Sequence, residues 1–120
     1  MDSLIGALGA LAAGTTSSAA LVDAALSRAQ DPAGEGARIY TTLFADSARA
    51  QAEAIDAARG RGDDLPLLAG APISVKDLFD IKGLATMAGS TIARDDPPAT
   101  ADAAIVARLR AAGAIIVGRT

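Results

Sequence analysis

Leu4, Ile5, Leu8, Leu11 and Ala12 fall at the spacing of one helix face, and Gly14 follows as a stop. A second stripe, Leu21, Val22, Ala25, Leu26 and Ala29, begins after Ser17 and Ser18, either of which suits a helix N-cap, and ends before Asp31-Pro32. Two short packed helices are predicted. Asp31 to Gly36 is a loop by its proline and glycines, whereas Ala37 to Phe44 (ARIYTTLF), rich in β-branched and aromatic residues, is predicted as a strand. Asp46 or Ser47 then caps a helix running to about Arg59 and ended by Gly60 and Gly62. Its inward face is Ala48, Ala52 and Ile55.

The period changes after Pro72. Ile73 and Val75 alternate with Ser74 and Lys76, the mark of a short strand. Gly83 and Gly89 mark turns, and Asp95 to Pro98 (DDPP) is a further loop. Ala101 to Ala112 carries helix signals at both ends: Thr100 as cap, Asp102 near the positive end, Arg108 and Arg110 near the negative end, and Gly113 as terminator. Its predicted buried stripe is Ile105, Val106, Leu109 and Ala112. Ala114 to Gly118 (AIIVG) is an unbroken apolar run, as expected of a strand covered on both faces. Strand, helix and strand in this order predict a parallel crossover unit and hence an α/β fold, in which amino-terminal helices precede part of a mixed sheet. Thr120 follows that last strand directly, which reads as an interruption of the sheet. On that reading AIIVG lacks neighbouring strands, exposes an apolar edge and leaves the isolated chain marginal and prone to aggregate.

Composition narrows the chemistry. Of 120 residues 51% are hydrophobic, but 31 of these are Ala and only 27 are Val, Ile, Leu or Phe, so the core is thin for the length. The net charge of −3 offers no basic surface for nucleic acid or anionic lipid. Ser3 to Val22 is uncharged, yet Asp2 stands where a leader wants a cation and Thr15 to Ser18 breaks the apolar run. A cytoplasmic protein without a membrane segment is expected. There is no His and no Cys, which excludes imidazole bases, thiolate nucleophiles and cysteine-based zinc sites. No glycine-rich phosphate loop occurs.

Lys76 is the leading candidate for chemistry. An ordinary lysine is a cation at neutral pH, but at the dry end of an apolar strand the neutral amine is favoured and becomes a base able to activate a hydroxyl. The plainer reading is a solvated or ion-paired lysine, with Asp77 as the neutralising neighbour even though adjacent strand residues point to opposite faces. Thr86, Ser90 and Thr91 are hydroxyl partners, substrate contacts or caps of the turns around Gly89. Asp95 and Asp96 read as a solvated turn before Pro97-Pro98.

Gly70 to Ser90 (GAPISVKDLFDIKGLATMAGS) resembles the lysine-bearing segment of the amidase signature family. The matching residues are Gly70, Pro72, Ile73, Val75, Lys76, Asp77, Gly83, Thr86, Gly89 and Ser90. Asp102 to Thr120 is similar to the family's next helix and strand, with Arg119 in place of the usual Lys of a Gly-Lys-Thr ending. The resemblance implies a Ser–cis-Ser–Lys amide hydrolase that forms an acyl-enzyme, needs no cofactor or metal and takes a small-molecule amide. Lys76 is then the catalytic base and proton relay, and Thr86, Gly89 and Ser90 shape the site. Both catalytic serines of the family lie in a Gly/Ser-rich segment that nothing in this chain resembles, for Ser17-Ser18 has no glycine around it. Residues 1–120 are therefore expected to be the amino-terminal part of an amidase domain, inactive alone. Two alternatives stand beside this reading. One is the amidotransferase subunit that converts mischarged tRNA, ranked lower because Thr91 follows Gly-Ser where that subunit has Lys; the other is a non-enzymatic α/β interaction module.

Overall fold

A computed structural model describes residues 3–120; Asp2, part of the case against a leader, lies outside them. Helix α1 (Leu4–Ala12) starts where the Ser3 hydroxyl accepts the Gly6 N–H at 3.0 Å. In α2 (Ser18–Gln30) Ser17 does the same for the Ala20 N–H at 3.1 Å. A short helix α3 (Gly36–Ile39) leads into strand β1 (Thr42–Leu43), and α4 (Ala45–Gly60) follows. Strand β2 (Pro72–Val75), helix α5 (Ala104–Ala111) and strand β3 (Ile115–Arg119) complete the order. No described helix is long and apolar enough to cross a membrane.

The three strands form one mixed sheet in the order β1-β3-β2, with β3 antiparallel to β1 and parallel to β2. Its two faces carry separate cores. Ile115 and Val117 pack with Val22 and Leu26 of α2 and Ala48 and Ala52 of α4. Ile116 on the opposite face packs with Val75, Ile81 and Val106. The apolar run of β3 thus has a physical cause: every residue from Ile115 to Arg119 is buried, on one face or the other. Burial of each isoleucine contributes about 2–3 kcal/mol. Alanines 48 and 52 let α4 approach closely. Gly70, at φ +91°, serves the same end: an added Cβ would fall inside the van der Waals envelope of Ser18 Oγ.

A charged knot joins α2, α4 and the approach to β2. The Asp56 carboxylate of α4 accepts the N–H groups of Ser18 at 2.8 Å and Ala19 at 2.9 Å, thereby capping α2 from another helix. Arg59 sits 3.3 Å from Asp56 and donates to Ser18 Oγ at 3.2 Å and to the Ala69 carbonyl at 2.8 Å.

Several sequence expectations are corrected. Ala37–Phe44 is not a continuous strand. Its first half is helical, with the Tyr40 N–H donating to the Gly36 carbonyl at 2.9 Å, and only Thr42–Leu43 pairs with β3. AIIVG does not lack neighbours: β3 is the central strand, and no apolar edge results from it. Helix α5 starts at Ala104 and Thr100 does not cap it, while Asp102 lies just before its first turn. The Asp102 carboxylate accepts the Lys82 N–H at 2.8 Å and Arg110 Nε–H at 3.0 Å, a tie between the 82 loop and α5. Ile105 faces solvent while Val106 is buried. In α1 only Leu11 of the expected stripe is buried, and Leu4 and Ile5 are exposed. Helix α4 begins at Ala45 after Phe44, without a side-chain cap from Asp46 or Ser47.

Candidate active site

Strands β2 and β3 run parallel, so their carboxyl ends lie together, the edge at which α/β sheets place their sites. Lys76 follows β2 directly and Thr120 follows β3. Their backbones interlock: the Thr120 N–H donates to the Val75 carbonyl at 3.0 Å, and the Asp77 N–H donates to the Thr120 carbonyl at 2.7 Å. Lys76 is therefore fixed on both sides by its neighbours, while its side chain lines a cavity of about 320 Å³ together with Thr41, Leu78, Gly89 and Thr120. Arg38 and Ile39 of α3 and Asp77 also line it.

The alternation across Lys76-Asp77 is complete. Lys76 is exposed and Asp77 is 8% exposed. Asp77 does not neutralise Lys76. Its carboxylate is paired with the guanidinium of Arg119, itself 5% exposed, whose other terminal nitrogen donates to the Ala85 carbonyl at 2.8 Å. Burial lowers the Arg119 pKa from its ordinary high value. Arg119 Nε is buried without a hydrogen-bond partner among the described residues. The Lys76 amine is left without a carboxylate partner among them. The dry strand end expected for Lys76 is not supplied by these residues, because Lys76 is itself exposed and so are most of the residues that line the cavity with it.

The other expected site residues divide. Gly89, at φ +76°, lines the cavity with Lys76. Thr86 does not: its hydroxyl donates to Asp80 Oδ1 at 2.6 Å and ties the ends of its own loop. Ser90 caps locally, its hydroxyl accepting the Ile92 N–H at 3.2 Å and its N–H donating to the Met87 carbonyl at 2.8 Å. Asp95 and Asp96 are exposed at the end of a 3₁₀ turn. Ala88, at φ +48°, is the one non-glycine among the described residues at positive φ, and it lines the same cavity. With Gly89 it forms a tight turn whose two central residues are both left-handed. No pattern in the sequence marks Ala88. Arg119 shows in the sequence only as a charge closing an apolar run, and its burial comes from a partner far along the chain.

Comparison with known proteins bears on the whole chain. The Amidase family model matches residues 20–120. The chain belongs to the amidase signature family. The amidase relatives include the AtzE component of the 1-carboxybiuret hydrolase of Pseudomonas sp. strain ADP, 56% identical over 79 residues, which covers 66% of this chain and 17% of that protein. A glutamyl-tRNA(Gln) amidotransferase subunit of Anaeromyxobacter dehalogenans is 47% identical over 110 residues, 91% of this chain and 22% of its own length. Among solved structures, the native peptide amidase of Stenotrophomonas maltophilia superposes with a TM-score of 0.83 at 31% identity, covering 99% of this chain and 24% of that one. A component of a vestigial complex related to an s-triazine catabolic enzyme superposes at 0.87 with 44% identity, over 96% and 25%. The chain thus spans about a fifth of the length of the curated relatives it matches and a quarter of the solved ones. Its helices and mixed sheet are part of the amidase signature fold.

Proposed function

We propose that this amidase chain is the lysine-bearing part of a Ser–cis-Ser–Lys amide hydrolase, with Lys76 as its base and the two serines supplied by sequence beyond these 120 residues. The observation that carries the proposal is the placement of Lys76. It ends a parallel strand, faces the cavity shared with Gly89 and Thr120, and has its acidic neighbour engaged elsewhere. In the proposed reaction a serine hydroxyl attacks the amide carbonyl as its proton passes to the bridging serine and from there to the Lys76 amine. The proton returns by the same route to the leaving nitrogen as the C–N bond breaks. Water then hydrolyses the acyl ester, releasing a carboxylic acid and restoring the serine. An amine takes up a proton only in its neutral form, so the relay needs water kept from the cavity while the amide is cleaved. Gly89 shapes the wall beside the amine, and Thr86 and Ser90 hold the loop that presents it.

The test is made in a chain extended through the serine segment, with hydrolysis of simple carboxamides as readout. Lys76→Ala is expected to lower kcat by about 10²–10⁴-fold while the melting temperature stays close to the parent's. The 120-residue chain alone is expected to show no turnover. Retained activity in the extended Lys76→Ala variant, or turnover by the short chain, refutes the assignment. Similarity over 91% of the chain to an amidotransferase component keeps a second reading in play. Under it, the extended chain releases ammonia from an amide only when partner subunits are present.

A further inference from the structure

Arg119 is a buried junction. Its backbone carbonyl accepts the Thr41 N–H at 2.9 Å, fixing β1 against the end of β3. One terminal nitrogen pairs with Asp77, the residue after Lys76, and the other donates to Ala85 at the start of the loop that carries Thr86, Ala88, Gly89 and Ser90. The two sides of the Lys76 cavity, strand end and loop, are thus linked by one side chain that does not itself line the cavity. The same pairing withdraws the Asp77 charge from Lys76.

We infer that Arg119 and Asp77 form a positioning pair that sets Lys76 and the 85–90 loop in register with each other. The inference rests on the proposed role of Lys76 only for its consequence in catalysis; the register itself is a property of this chain. The chemistry required at position 119 is a buried cation with two donors at its tip. A guanidinium meets this with its fork and leaves Nε orphaned, whereas an ammonium carries three donors, none of them at Nε. Arg119→Lys therefore keeps the buried cation opposite Asp77, and Arg119→Met replaces it with an unbranched apolar stem.

The sequence holds only two lysines, Lys76 and Lys82, so ¹³C-lysine NMR of the 120-residue chain reports on each separately. Arg119→Met is expected to shift and broaden the Lys76 side-chain signal and to speed amide exchange at Asp77 and Ser90, with Lys82 unmoved. Arg119→Lys is expected to restore all three. Asp77→Asn, which removes the charge at constant shape, reads the same signals should Arg119→Met fail to fold. An unchanged Lys76 signal in a folded Arg119→Met or Asp77→Asn protein overturns the inference, even if its melting temperature falls, since a purely structural pair lowers stability without moving Lys76. Equal disturbance in Arg119→Lys also overturns it. In the extended enzyme, the positioning role predicts that Arg119→Met loses about 100-fold in kcat with KM little changed, and that Arg119→Lys recovers most of it. If extended Lys76→Ala stays active while these NMR effects are present, the proposed function fails and the positioning pair stands.

Discussion

Asp56→Ala tests the charged knot at the start of α2. Burial pushes the Asp56 carboxyl up, but the Ala19 N–H, the Ser18 hydroxyl and N–H, and the Arg59 charge together outweigh it and hold the group below the ordinary carboxylate value. The substitution removes two charge-assisted backbone bonds, at 2.8 and 2.9 Å, and leaves Arg59 with neutral partners only. Each bond contributes about 1.5 kcal/mol, and the partial exposure of the pair limits any further Coulomb gain, so the expected loss is roughly 3 kcal/mol. For a domain of this size that corresponds to a fall in Tm of about 10–15 °C. The assay is urea unfolding followed by far-UV circular dichroism, with Asp46→Ala as an acidic control outside the knot, within about 0.5 kcal/mol of the parent. The pH dependence has a definite sign. A carboxyl with a lowered folded pKa contributes fully above its unfolded value of about 3.9 and loses that contribution as pH falls through the folded value. The gap between parent and variant is therefore constant from neutral pH down to about 5 and closes at lower pH. A difference under about 0.5 kcal/mol at pH 7, or one that widens as pH falls below about 4, refutes the reasoning.

Two further substitutions probe the backbone. Gly70→Ala combines a left-handed φ with a clash against Ser18 and is expected to cost roughly 2–4 kcal/mol, read from the same urea curves. Ala88→Gly relieves the positive φ in the cavity turn and is expected to stabilise by about 0.5–1 kcal/mol, visible as a higher urea midpoint at unchanged slope.

Where burial pattern and local chemistry agree, the fold is legible from the residues. Ala114 to Gly118 reads as a doubly covered strand because both faces of β3 are in fact covered, and Ser17 reads as a cap because its hydroxyl acts as one. The failures share a cause: long-range partners override local preference. Gly36 sits tight against the Ala29 backbone of α2, and the chain leaving it turns helical although Ile39 and Tyr40 favour a strand. Asp102 lies just before the first turn of α5, and its carboxylate joins Lys82 and Arg110. At the site, Lys76 and Gly89 are visible from motif spacing. The Asp77–Arg119 link is not, because it joins residues 42 positions apart whose charges, in sequence, flank other candidates. Thr86 and Ser90 stand out in the motif, yet their hydroxyls serve the loop's own geometry.

The central place of β3 also governs assembly. Its neighbours on either side come from segments made earlier, so the sheet has a high contact order and cannot close until Ile115 to Arg119 are free to move between them. During synthesis, the α2–α4 pair is the structure that can consolidate first, while Leu43 and Val75 wait with unpaired backbone. A ribosome stalled before Ile115 would therefore hold a helical hairpin with two untethered strands, and the pocket around Lys76 would come into being only once β3 had left the exit tunnel.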